Sequence, residues 1–292
     1  MKPAPFVLHR PQSLEAAVSL LAEYHEEGGL VLAGGQSLIP MMALRVAYPP
    51  HLIDINDVEG LDDVKTVDNR LLIGATVRHA RFQRPIVPDC LGDLLCGVSH
   101  HIAHYPIRHR GTFCGSLAHA DPSSEWCLVA ATLDAEIRLI SLGGQRNVPA
   151  RDFFAGAMTT VREPDEIIVE VTLPLLGTAS TYGFYEFNRR AGDFAIGMCL
   201  TTFELRDGKM RDVRLAIGGI EENPRRLAGV EAALEGAAPS VEALADAAAL
   251  ASGAVDPMED ATTTADYRRD LTGVVVSRAL NAATARAASG GH

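Results

Sequence analysis

Hydrophobic residues near the start of the chain follow two periods. Leu14, Ala17, Val18, Leu21 and Ala22 recur at helical spacing behind Ser13, which predicts a helix capped by Ser13 and stopped by Gly28-Gly29. Phe6-Val7-Leu8 before it and Leu30-Val31-Leu32 after it read as short strands. Leu38 to Leu44 is helical, with Pro40 tolerated near its start, and Pro49-Pro50 breaks the chain before the alternating strand His51-Leu52-Ile53-Asp54-Ile55. Val64 to Val67 and Leu71 to Ile73 flank Asp68-Asn69-Arg70 as a hairpin, Thr76 caps a short helix through Phe82, and Cys90 to His104 is helical. Pro122 suits the first turn of a helix reaching Ala131; Ala135 to Ile140 and Ile167 to Pro174 are strands, with a turn at Gly143-Gly144 between them. A small, polar linker at Leu175 to Ser180 precedes a hairpin of Ile196 to Leu205 and Met210 to Ile217 about Asp207-Gly208. Amphipathic helices from Ser240 to Ala251 and from Tyr267 to Ala288 close the pattern, which divides the chain into segments 1–56, 57–176 and 177–292.

Two junctions in that pattern carry chemistry. Ala33-Gly34-Gly35-Gln36-Ser37 follows a strand, and Thr112-Phe113-Cys114-Gly115-Ser116 lies about 80 residues later within Ile107 to Pro122. Small residues leave successive N–H groups uncovered, and the hydroxyls add donors, so the pair suits one extended diphosphate ligand. Taken alone, the second stretch reads equally as a sharp turn between packed elements. Neither loop has the G-x-G-x-x-G fingerprint or the Gly-Lys-Ser/Thr ending of a phosphate-binding loop, which disfavours a Rossmann dehydrogenase and a nucleoside triphosphatase.

The totals narrow the function. With 47% hydrophobic and 22% charged residues the 292-residue chain is globular, and a net charge of -11 with no basic run excludes a nucleic-acid partner. Met1 to Phe6 lacks the features of a signal peptide, and no apolar run approaches the roughly 20 residues of a membrane span, so a cytoplasmic protein is expected. The five cysteines, without a C-x-x-C pair, write neither a disulfide framework nor an iron–sulfur cluster. His100-His101-x-x-His104 and His109 invite a metal, yet no carboxylate or Cys completes a ligand set nearby in sequence. Cys114 is either a thiol activated at a helix start or a small buried residue beside a ligand. No nucleophile elbow supports hydrolysis. Glu186 to Phe194 joins charge to a glycine turn and, alone, reads as a solvated strand end.

Ala33-Gly34-Gly35-Gln36-Ser37-Leu38-Ile39-Pro40, then Ile107 to Thr112 and Ala118-His119-Ala120-Asp121-Pro122, then Arg189-Arg190-Ala191-Gly192-Asp193-Phe194-Ala195, together resemble the FAD-binding medium subunit of molybdenum hydroxylases, of the carbon monoxide dehydrogenase type. The resemblance extends to Tyr267-Arg268 and covers nearly the whole chain. It implies an α+β protein: a two-lobed FAD-binding domain of the vanillyl-alcohol-oxidase-like (PCMH) type followed by a smaller α+β C-terminal domain. It also implies that FAD sits on this chain, while a small subunit carries [2Fe-2S] clusters and a large subunit carries molybdopterin, in a dimer of heterotrimers. Matched by position, Ala33, Gly34, Gly35, Gln36 and Ser37 form one FAD loop and Thr112, Phe113, Cys114, Gly115 and Ser116 the other. Glu125 falls where an acid faces the flavin's polar chain, Ile102 and Ile168 where apolar residues line the cofactor, and Phe194 where an aromatic approaches the isoalloxazine. Glu186 also counts as a cofactor-site residue.

Three positions depart from the family. Cys114 replaces the first of two glycines, Trp126 stands where a smaller, turn-forming run is common, and Glu186 where many relatives carry Lys, which alters the local field. The implied function is electron transfer through FAD to an external acceptor, with no catalytic residue and no metal ligand on this chain. The alternatives are a self-sufficient FAD-dependent oxidase, for which no acid–base set is evident, and a scaffold that lost FAD through the Cys114 change.

Overall fold

The computed structural model describes residues 2–289; Met1 and residues 290–292, which fall in the segments 1–56 and 177–292, lie outside the described residues. The first stretch folds as β1 (Val7–His9), α1 (Leu14–Tyr24), β2 (Leu30–Leu32), α2 (Leu38–Ala43) and β3 (His51–Asp54). Its sheet is parallel in the order β1-β3-β2, with β3 central because Leu52 and Ile53 are fully buried. Ser13 caps α1 by accepting the Ala16 N–H at 3.2 Å, and Ala17, Val18 and Leu21 face the core. The helix stops at Tyr24, short of the glycines, because the Gly28 and Gly29 N–H groups already close a turn onto the His25 and Tyr24 carbonyls.

The middle stretch contains β4 (Val64–Val67), β5 (Arg70–Gly74), a 3₁₀ turn (His79–Phe82), α3 (Cys90–Ser99), α4 (Tyr105–Arg108), α5 (Phe113–His119) and α6 (Glu125–Leu133). It continues through β6 (Glu136–Ser141), β7 (Gly144–Pro149), α7 (Ala150–Phe153), β8 (Phe154–Gly156), β9 (Thr159–Thr160) and β10 (Ile167–Pro174). An antiparallel sheet runs β4-β5-β10-β6-β7, and β8 pairs with β9. The β4–β5 hairpin turns on Asp68 and Asn69, both at positive φ, as a two-residue primed turn requires. Buried on both faces, β10 is mostly apolar, broken only by Glu170 and Thr172.

Several expected helices fall elsewhere. Thr76 is buried and caps nothing; the 3₁₀ turn begins at His79, after Arg78. The span from Cys90 to His104 ends at Ser99, and the chain restarts as α4 only at Tyr105, with Ala103 between them at positive φ. Pro122 lies outside α6, which Ser124 caps. The polar Gly144–Pro149 gave no strand signal but pairs with β6 as an edge strand.

The last stretch is β11 (Ser180–Phe187), β12 (Gly197–Arg206), β13 (Lys209–Gly218), β14 (Arg225–Arg226), α8 (Ala228–Leu234), α9 (Val241–Gly253) and α10 (Ala265–Ala288). The four strands form an antiparallel sheet in chain order. Both of its faces are buried. Met198, Leu200 and Ala216 join the core beneath the first two sheets, while Cys199, Phe203, Leu215 and Ile217 join a second core under α8, α9 and α10, as strand alternation dictates.

Helix α10 lies on β11 at backbone contact: a Cβ on Gly183 would stand 1.8 Å from the Ala279 carbonyl oxygen. Gly183→Ala is therefore expected to destabilise the chain by on the order of 3 kcal/mol, read as a lowered urea midpoint. An unchanged midpoint would show that the helix does not need this contact.

Candidate functional site

The first glycine loop joins β2 to α2. Gly35 sits at φ +69°, which an L side chain rarely adopts. Among the described residues, the N–H groups of Gly35, Gln36, Ser37 and Leu38 have no protein acceptor, and the Ser37 hydroxyl makes no cap bond. Gln36 instead turns back, its Nε2 donating to the Gly34 carbonyl at 2.9 Å. Gly34 is where the two loops meet: a Cβ there would lie 2.3 Å from the Arg110 carbonyl oxygen and 2.6 Å from the Gly111 Cα. Side chains tie the same junction. Asn56 Nδ2 donates to the Ala33 carbonyl at 2.8 Å, Arg78 Nη2 donates to Asn56 Oδ1 at 2.6 Å, and Arg78 Nη1 donates to the Arg110 carbonyl.

The second stretch is less of a loop than its composition implies. Thr112 caps α5, and its Oγ1 accepts the Gly115 N–H at 3.0 Å, so that N–H serves the helix and is not free for a ligand. Phe113 is fully buried against Phe82 and Trp126, with its N–H on the Val77 carbonyl at 3.1 Å; it is a core residue, not a lining one. Cys114 is buried with Sγ 3.6 Å from the Gly74 carbonyl oxygen, and burial pushes its thiol pKa up, with Glu170 adding to the effect. The thiol is inert, and because the side chain points inward the missing glycine costs no access at the start of α5.

Both loops floor one cavity of about 890 Å³, within the range of small-molecule and cofactor sites, about 300–1,000 Å³. Ala33, Gly34, Gly35, Gln36, Ser37, Thr112, Cys114, Gly115, Ser116, Ile102, Ile168, Glu125 and Phe194 all line it. Phe194 stands at its edge with 75% of its surface exposed. Glu186 does not line it. That carboxyl is buried outside the wall: Oε1 accepts from Asn188 Nδ2 at 2.8 Å, while Oε2 has no hydrogen-bond partner among the described residues and lies 3.8 Å from His101 Nδ1. His101 also meets Phe184 edge-on and His109 packs on Tyr105; no group of three metal ligands occurs among the described residues.

Composition and motif alone missed other members of the site. His79 lines the cavity, and burial, then Arg78 and Arg108, hold its pKa down at about 3. Trp126 Nε1 donates to its Nδ1 at 2.8 Å, and since an indole only donates, the neutral ring carries its proton on Nε2, beneath Gly111. The bulky Trp126 was the available signal. Asp260, Thr262 and Arg268, from the far end of the sequence, line the cavity as well.

Bare N–H donors at one end, apolar walls and an exposed aromatic at the edge define a protein that holds a large phosphate-bearing cofactor. Residues 4–176 match the family model for the FAD binding domain in molybdopterin dehydrogenase, and residues 182–283 match the CO dehydrogenase flavoprotein C-terminal domain. The chain is 35% identical to the carbon monoxide dehydrogenase medium chain of Hydrogenophaga pseudoflava, over 99% of this chain and 100% of that one. It is 35% identical to the nicotine 6-hydroxylase medium subunit of Paenarthrobacter nicotinovorans, over 94% and 96%. Solved structures of carbon monoxide dehydrogenase from Hydrogenophaga pseudoflava and of quinoline 2-oxidoreductase from Pseudomonas putida 86 superpose with TM-scores of 0.93 at 36% and 34% identity, covering 98% of this chain and 99% of theirs. The chain belongs to the FAD-binding medium subunits of molybdenum-containing hydroxylases and dehydrogenases. Its donor set fits FAD: the uncovered N–H row suits a diphosphate, and Ile102 and Ile168 suit a flat ring.

Burial raises the pKa of Glu186, and burial followed by the nearby Glu186 raises that of Glu125. An unfolded chain loses both protons first, so their contribution favours folding below about pH 4.5 and fades as pH rises through neutrality. Glu186→Gln is expected to flatten that slope and to stabilise the chain at about pH 8, relative to about pH 5, by on the order of 1–3 kcal/mol in urea unfolding. A variant with the parent's pH slope would show that the carboxyl titrates normally.

Proposed function

We propose that this chain is the electron-transfer subunit of a molybdenum-containing dehydrogenase, taking electrons from [2Fe-2S] clusters on a small subunit and passing them through FAD to an external acceptor. The observation that carries the reading is the single cavity floored by both glycine loops. When bound, FAD supplies the ability to take electrons one or two at a time. The protein's part is to hold and shield it: the N–H groups of Gly35 to Leu38 and the Ser37 and Ser116 hydroxyls bind the diphosphate, Ile102 and Ile168 exclude water from the ring, and Phe194 covers its edge. Glu125 faces the polar chain of the cofactor, and its raised pKa, set by burial and then by Glu186, favours the protonated form that can donate a hydrogen bond there. A self-sufficient oxidase is less well served at His79, whose imidazole on the cavity wall is neutral and already accepts from Trp126.

The molybdopterin subunit that oxidises the substrate completes a heterotrimer, which pairs into a dimer of heterotrimers. Segments 1–56 and 57–176 act as the two lobes about FAD, and 177–292 as the C-terminal domain. All five cysteines are free thiols, which supports a reducing, cytoplasmic setting. Among the described residues no helix is long and apolar enough to cross a membrane.

Acid precipitation of the purified chain is expected to release its yellow chromophore into the supernatant, because the proposed contacts are noncovalent; colour retained in the pellet would contradict this. Gly34→Ala, which forces the loops apart, is expected to weaken FAD binding about tenfold or more, a loss of about 1.4 kcal/mol, by fluorescence titration. Normal affinity would show that the cradle lies elsewhere. Mixed anaerobically with aldehydes, purines or carbon monoxide, the isolated chain should keep its flavin oxidised; rapid bleaching without a partner subunit would promote the oxidase.

A further inference from the structure

Phe194 is a large apolar ring standing mostly in water, so its position must be set by the backbone that carries it. The turn from Asn188 to Ile196 is gripped at several points from outside. Near its start, Arg189 Nη2 donates to the Thr262 carbonyl at 3.4 Å. In its middle, Gly192, at φ +88°, passes so close to His104 that a Cβ would lie 2.4 Å from the ring. After Phe194, the Ala195 carbonyl accepts from Ser123 Oγ at 2.8 Å, and the Ile196 carbonyl accepts from Arg268 Nη1 at 2.7 Å.

Arg268 sits on α10 and is only 4% exposed. Its guanidinium also donates to the Gly219 carbonyl, and Nη2 meets Asp260 Oδ2 at 2.5 Å. Asp260 Oδ1 accepts the Thr262 N–H at 2.7 Å, the Thr262 hydroxyl at 2.7 Å and the Thr263 N–H at 2.9 Å. One ion pair therefore folds the loop that receives Arg189 and holds the strand end that follows Phe194. A lysine could not do both, because a single ammonium lacks the planar fork that reaches two carbonyls and a carboxylate together.

We propose that Arg268, paired with Asp260, is a positioning residue for Phe194: from the C-terminal helix it fixes the turn that decides how far the exposed ring covers the mouth of the cavity. The proposal rests on the flavin reading above for its consequence, and on the contacts alone for its geometry. Through Phe194, the C-terminal segment thereby sets solvent access to the cofactor.

Two measurements on the full-length chain test it. With FAD bound, Arg268→Met is expected to raise the iodide quenching constant of flavin fluorescence by roughly threefold or more, the low end of couplings within one hydrogen-bond network. Phe194→Ala should do the same, the double variant should exceed neither single variant, and Arg268→Lys should fall between Met and the parent. In flavin-free protein, chymotryptic cleavage after Phe194 should accelerate about threefold or more in Arg268→Met, with other bonds cut at the parent's rate. If Arg268→Met does not fold, Asp260→Asn is read in the same two ways. Parental quenching and cleavage, additive quenching in the double variant, or faster cleavage at all bonds alike would overturn the proposal. A parent chain that binds no FAD would sink the cofactor reading, while the cleavage rates would still decide the role of Arg268.

Discussion

Everything at the site depends on two stretches of backbone being allowed to touch. Gly34 brings the first loop against Arg110 and Gly111 at a distance no side chain would permit. The Asn56–Arg78 bridge then locks the pair by consuming the Ala33 and Arg110 carbonyls. Those carbonyls would otherwise compete for space and charge at an anion site. With them turned into the bridge, the loop presents N–H groups outward, and the guanidinium that does the turning adds positive charge behind them. A chain of net charge -11 thus still presents a row of N–H donors at this loop.

The second loop contributes in a different currency. The Thr112 hydroxyl and the Gly115 N–H serve the α5 cap, Phe113 anchors that helix in the core, and Trp126 pins His79 beneath Gly111. The aromatic cluster of Phe82, Phe113 and Trp126 therefore acts as bedding for a stretch whose upper surface is nearly free of side chains. The Trp126 and Cys114 departures point the same way, both putting bulk underneath rather than on top.

Much of this was legible in the residues. Period-3.6 apolar spacing marked α1 and α9, alternation marked β3 and the β12–β13 hairpin, and the two small-residue stretches marked the cavity floor. What stayed hidden had physical reasons. β7 is an edge strand whose polar residues face water, so no alternation betrays it. Gly115 looked like a bare donor because a capping bond between Thr112 and its N–H leaves no mark in composition. Glu186 sits near Glu125 in space but behind the wall, a distinction of side-chain direction that position matching does not carry. Arg268 and Asp260 reach the cavity from the end of the chain, and only the packing of α10 across β11 and β12 brings them there.

The last sheet has a consequence for how the molecule comes apart. Its strands send alternate residues into two cores, so neither core is complete without it: Met198 and Leu200 close one while Cys199 and Phe203 close the other. Loss of either core strips a face of the wall on which the other is built. Two family modules written in tandem along the chain are therefore expected to melt in a single cooperative step, and the halves, expressed apart, would each display an apolar sheet face or its empty counterpart until mixed together.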